Sequence, residues 1–144
     1  VLRAVLDTNV IVSGVISDRG IPSRLLSAWR AREWDLVISP GILHEVQRVL
    51  SAPKIARTYG LTRQDIVDLV QLFSHRALLM TGTLAISPTA RDADDDPILA
   101  CAKEANADYV VSGDDDLLTL ERYEGIPIVS PAAFAAVLEI SRQS

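Results

Sequence analysis

The chain has 144 residues, of which 49% are hydrophobic and 23% charged, with a formal net charge of −5. That length and balance fit one domain over 1–144, large enough to bury a core without staples. No apolar run approaches the roughly 18 residues that span a bilayer, so no membrane partner is expected. The single Cys101 leaves no internal disulfide to form and fits a reducing, cytoplasmic setting.

Apolar β-rich runs alternate with helical periods along the chain. Leu2–Leu6 reads as a first strand and not as a signal peptide, because Asp7 interrupts it and no cleavage pattern follows. A loop is expected through Ser13, Gly14, Asp18 and Gly20. Pro22 or Ser23 then opens a helix carrying Leu25, Leu26, Ala28 and Trp29. Leu36–Ile38 is the second strand. Ser39 with Pro40 is a favoured helix start, and Pro53 is expected to end that helical region. Thr62 with Asp65 resembles a capping box, and Ile66, Leu69, Val70 and Phe73 give its helix an apolar stripe. A third strand is expected near Ala77–Thr81, and a loop over Ser87–Asp95. Asp96-Pro97 opens the next helix. Ala107–Ser112 and Ile126–Val129 are the fourth and fifth strands, and Ser130-Pro131 starts a last helix running to about Ile140. The expected fold is therefore α/β, with a mainly parallel five-stranded sheet flanked by helices.

Four acids sit where a strand stops or a helix starts. Asp7 follows the first strand, Glu45 lies early in the helix after the second, Asp96 opens the helix before the fourth, and Asp114 follows the fourth. The carboxyl ends of parallel strands share one edge, where ligands usually bind. Carboxylates gathered there repel by about 1 kcal/mol per pair at 4 Å in water, and roughly 4 kcal/mol when half-buried. A cation among them removes that cost. Each acid also has an ordinary role. Asp7 suits an Asx turn. Glu45 falls roughly 40° from Val49 on the helical wheel, at the edge of an apolar stripe, as a surface glutamate does. Asp96 before Pro97 suits a helix cap, and Asp114 or Asp116 suits a cap for the Leu117-Leu118 turn. The excess acid in Asp92–Asp96 and in Asp114–Asp116 goes beyond what capping needs.

The charge is unevenly spread. Seven of the thirteen aspartates fall in those two clusters, and twelve of the fourteen basic residues are arginine. A negative pocket with a basic rim for phosphate fits this distribution. His44 and His75 have no zinc spacing with Cys101. No phosphate-binding glycine loop and no nucleophile elbow is present. A phosphoacceptor receiver domain fits poorly, because residues 126–131 lack a lysine.

Val5-Leu6-Asp7-Thr8-Asn9-Val10, the Glu45 helix, Asp96-Pro97-Ile98-Leu99-Ala100 and Val111-Ser112-Gly113-Asp114 together resemble the PIN domain family. The stretches from Asp92 to Ala102 and from Val110 to Leu118 resemble its toxin branch in bacterial and archaeal toxin–antitoxin systems, the VapC-like ribonucleases. The resemblance implies a three-layer α/β/α fold related to 5′-nuclease domains, and Mg²⁺- or Mn²⁺-dependent endoribonuclease activity. It implies one or two ions held by Asp7, Asp96, Asp114 and Glu45, with Asp116 an additional candidate. Thr8, Asn9 and Ser112 are expected to support them. Oxygen ligands suit such hard cations better than zinc. Arg19, Arg24 and Arg91 are candidate contacts for RNA phosphates. A cognate antitoxin and a homodimer are the further partners implied. The alternative is an RNA- or partner-binding PIN-like module with weak or lost cleavage, since a fold alone does not fix a function.

Overall fold

The structure, a computed structural model, describes residues 1–81 and 96–143; of Asp96 and residues 140–143 only the backbone is described. Six strands form one sheet in the order β3-β2-β1-β4-β6-β5. They are β1 (Arg3–Leu6), β2 (Asp35–Ile38), β3 (Leu78–Leu79), β4 (Tyr109–Val111), β5 (Arg122–Tyr123) and β6 (Ile126–Val129). All neighbours pair parallel except β5 with β6. The sheet therefore has six strands where five were expected. The extra one, β5, forms a hairpin with β6. Its two-residue turn, Glu124-Gly125, has both φ values positive, at 48° and 83°, as a tight hairpin turn matched to strand twist requires.

Eight helices are described: α1 (Thr8–Ile16), α2 (Ile21–Arg30), α3 (Pro40–Ser51), α4 (Pro53–Tyr59), α5 (Arg63–Arg76), α6 (Asp96–Ala105), α7 (Asp115–Leu120) and α8 (Pro131–Gln143). Two readings are corrected here. The stretch after Asp7 is the helix α1, not a loop. Its Val10, Ile11 and Val12 are all buried, so it lacks the polar face that announces a surface helix. Pro53 does mark the end of α3, which stops at Ser51, but helix does not stop there: Pro53 itself opens α4, because proline is well tolerated in a first turn. The expected loop Ser87–Asp95 lies outside the described residues.

From β1 the chain steps to β2 and then β3 on one side, with α1 to α5 as the connections. It returns through α6 to β4 on the other side of β1. Right-handed crossovers then place α6 on the face opposite α1, and α6 packs across β1, β2 and β4. The central strands are buried on both faces: Ala4, Val5, Leu6, Leu36, Ile38, Val110 and Val111 are fully enclosed. That burial explains why these strands read as continuous apolar runs. Trp29 of α2 stacks on Phe73 of α5 at 5.3 Å, tying the two helices over the sheet. No described helix is long and apolar enough to cross a membrane.

Candidate active site

The strand order changes direction between β1 and β4, which is where open α/β sheets bind ligands. Asp7 leaves β1 at that point, and its backbone N–H donates to Val111 O of β4 at 2.9 Å. Asp7 is only 5% exposed. Its Oδ1 accepts the Asn9 N–H at 2.8 Å, capping α1, and its Oδ2 accepts the Ser112 hydroxyl at 2.6 Å. The same Ser112 oxygen accepts the Asp114 N–H at 2.9 Å. Asp114 Oδ1 in turn accepts the Asp116 N–H at 3.1 Å and caps α7. One buried hydroxyl thus joins the two acids that leave β1 and β4. The Asx turn anticipated for Asp7 and the cap anticipated for Asp114 are both real, and they fix the carboxylates in place.

A carboxylate offers about four acceptor positions. Asp7 fills two of them, and no cation pairs with it among the described residues. A buried charge left in that state is costly. The donors here are all oxygens, and Asp114 lies one hydroxyl away, so the pair fits a hard divalent cation.

Glu45 lies on α3, half-buried at the edge of the apolar stripe of Ile42, Val46 and Leu50. Its two oxygens accept from Arg48 Nε at 3.1 Å and Arg48 Nη2 at 2.5 Å. The hydrogen-bonded Arg48 guanidinium holds the Glu45 pKa below its ordinary value, against a smaller opposing effect of desolvation. The position of Glu45 at the edge of the apolar stripe did not anticipate this fork. Asp96 opens α6, whose Pro97 lies 3.9 Å from where a Cβ on Gly41 would stand at the start of α3. The start of α3, one turn before Glu45, therefore meets the start of α6. The side chain of Asp96 lies outside the described residues, as do Asp92, Asp94, Asp95 and Arg91. Among the described residues, no three His, Cys, Asp or Glu side chains stand close enough to hold one ion.

Thr8 is half-buried, and Asn9 contributes its backbone N–H to Asp7. Arg19 and Arg24 are exposed. Arg24 lines a depression between α2 and α8, whereas Asp114 borders a different one with Asn9, Pro22 and Pro131. Sequence reasoning used Ser39 only as a cap. It is 3% exposed at the end of β2, on the same sheet edge; its hydroxyl caps α3 and acts to lower the pKa of Cys101 of α6. Its place at a strand end, like that of Asp7, was the available signal.

The fold is that of an α/β protein with two acids fixed at the switch point of a mainly parallel sheet, at the ends of β1 and β4. The chain belongs to the PIN domain family, which it matches over residues 3–116. PIN domains are generally nucleases and typically use divalent metal ions. The chain is 29% identical over 119 residues to the uncharacterized protein MJ1680 of Methanocaldococcus jannaschii, covering 83% of this chain and 75% of that one. Its fold is similar to a chain in the crystal structure of VapBC2 from Rickettsia felis bound to a DNA fragment from their promoter. The TM-score is 0.59 at 18% identity, over 90% of this chain and 98% of that one.

Proposed function

We propose that the protein is a Mg²⁺- or Mn²⁺-dependent endoribonuclease, the toxin of a type II toxin–antitoxin pair, acting in the cytoplasm. The observation that carries this reading is the buried Asp7 carboxylate, held by Ser112 beside Asp114 with no counter-charge among the described residues. Asp7, Asp96 and Asp114 would hold the ion or ions, with Glu45 joining directly or through water and Asp116 a further candidate. When bound, such ions neutralise phosphate charge and make water a better nucleophile at neutral pH. Ser112 keeps the Asp7 carboxylate turned toward the β4 loop, and the α1 start fixes its other oxygen. The RNA is single-stranded or looped, where the backbone can bend into the edge of the sheet. In-line hydrolysis leaves a 5′-phosphate and a 3′-hydroxyl. The VapBC2 likeness supports an antitoxin as partner, and family membership supports a homodimer.

The test is RNA cleavage by wild type, Asp7→Asn and Asp96→Asn in Mg²⁺, Mn²⁺ or EDTA. Both variants and EDTA should abolish cleavage; metal-independent cleavage or fully active variants defeat the reading. Mn²⁺ should also raise the melting temperature of wild type but not of Asp7→Asn, because an ion at a hundred times its Kd stabilises the native state by about 2.7 kcal/mol.

The Glu45–Arg48 fork favours a second reading, a PIN-like RNA- or partner-binding module with weak or lost cleavage. Tight RNA binding without turnover in either metal would select it.

A further inference from the structure

Residues 46–64 contain Arg48, Lys54, Arg57 and Arg63 and no aspartate or glutamate, in a chain whose net charge is −5. The chemistry above uses none of Lys54, Arg57 or Arg63. The fold gathers them at the end of a helical arm. The last turn of α3 and the first turns of α5 border one groove, so α5 starts where α3 stops, and α4 makes the bend. Gly60, left-handed at φ 65°, lets the chain pass from α4 into α5.

Packing does not account for this arm. None of the residues of α4 is buried. Lys54 and Arg57 stand three apart, and so on one exposed side of α4. Arg63 is exposed and borders the groove of about 420 Å³ with Gln47, Ser51 and Ala56. Tyr59, at the end of α4, is 46% exposed. Lys54, Arg57 and Arg63 form no ion pair among the described residues. Arg57, in the last turn of α4, complements the helix dipole. Lys54 and Arg63 do the opposite: they lie in first turns, where a cation is unfavourable. Cations kept against the dipole on the same arm as an exposed aromatic ring match what single-stranded nucleic acid requires.

We propose that the α4 arm is a rail for single-stranded RNA. Lys54, Arg57 and Arg63 meet successive backbone phosphates, and Tyr59 offers its ring to a base. The proposal rests on the RNA reading above. It extends that reading by giving the substrate a path away from the acidic edge along α3.

The test is fluorescence anisotropy of a short, non-cleavable 2′-O-methylated single-stranded RNA in EDTA, across a salt titration. The combined Lys54→Ala, Arg57→Ala, Arg63→Ala variant should bind at least about tenfold more weakly. The slope of log K against log salt should shrink by about 2, as expected for three lost phosphate contacts on a single strand. Tyr59→Ala should weaken binding at least about fivefold with the slope unchanged. All four side chains are exposed, and unchanged melting temperatures will show that the variants fold. Wild-type affinity and slope in the triple variant would overturn the rail. So would duplex DNA or a protein partner binding the arm in preference to RNA. A triple variant that cleaves RNA with unchanged KM sinks the rail alone. Wild type that binds RNA through the arm yet never cleaves it sinks the nuclease reading alone.

Discussion

Ser112 is fully buried and gives its only hydroxyl proton to Asp7, at 2.6 Å, across 105 residues of sequence. No other described side chain donates to that carboxylate, and the Ser112 hydroxyl oxygen in turn accepts the Asp114 backbone N–H.

Ser112→Ala should therefore destabilise the protein by about 1–3 kcal/mol, because Asp7 Oδ2 is left buried without its donor. Urea unfolding measures this directly. Cleavage should fall along with stability, since the same bond orients Asp7. An unchanged midpoint would mean that water replaces the hydroxyl without loss.

Gly14→Ala tests how tightly α1 meets α2. A Cβ at Gly14 would lie 2.6 Å from Leu26 Cδ1 and 2.9 Å from the Pro22 carbonyl oxygen. Alanine gains up to about 1 kcal/mol of helix propensity, but an overpacked core contact costs about 1–3 kcal/mol. The Leu26 side chain can move; the Pro22 backbone cannot without shifting α2. The melting temperature should fall, by about 2–4 °C for each kcal/mol lost.

The Glu45–Arg48 fork makes a pH prediction. Hydrogen bonding to Arg48 holds the Glu45 pKa below its ordinary 4.5, with the charges of Arg48 and His44 adding to the effect. A depressed carboxylate pKa gives stability above the unfolded value, and this is lost as pH falls through the folded one. Arg48→Gln should thus cost stability near neutral pH and nothing in strong acid. The side chains are 65% and 35% exposed, so the cost is under about 1 kcal/mol. Unfolding curves of both proteins across the acid range measure the convergence.

Cys101 should resist alkylation in the native state. Burial, with the charge of Glu104 adding to it, pushes its thiol up to about 12, and the Ser39 hydrogen bond only partly offsets this. Thiolate is the reactive form. Iodoacetamide at mildly alkaline pH should modify Cys101 only as fast as the protein opens, and readily in urea.

The sheet was legible because doubly buried strands spell themselves as apolar runs, as in Tyr109-Val110-Val111. The hairpin strand β5 was not, because two residues carry no period; Glu124-Gly125 was the faint turn signal. The helix α1 hid behind β-branched residues that suggest a strand and a Ser13-Gly14 pair that suggests a loop. Asp7, Asp114 and Ser112 were readable as a group because strand ends in a parallel sheet share one edge. The Glu45–Arg48 fork was not, since which rotamer a half-exposed glutamate takes depends on its neighbours and not on its place on the wheel.

The span of the Asp7–Ser112 bond also orders events during synthesis. A nascent chain that ends after β3 has β1, β2 and β3 available to pair, but nothing to seat the Asp7 carboxylate. Only when β4 emerges and zips against β1 does Ser112 reach it. The acidic edge is thus among the last features to be assembled, and a ribosome-bound fragment has no finished version of it to expose.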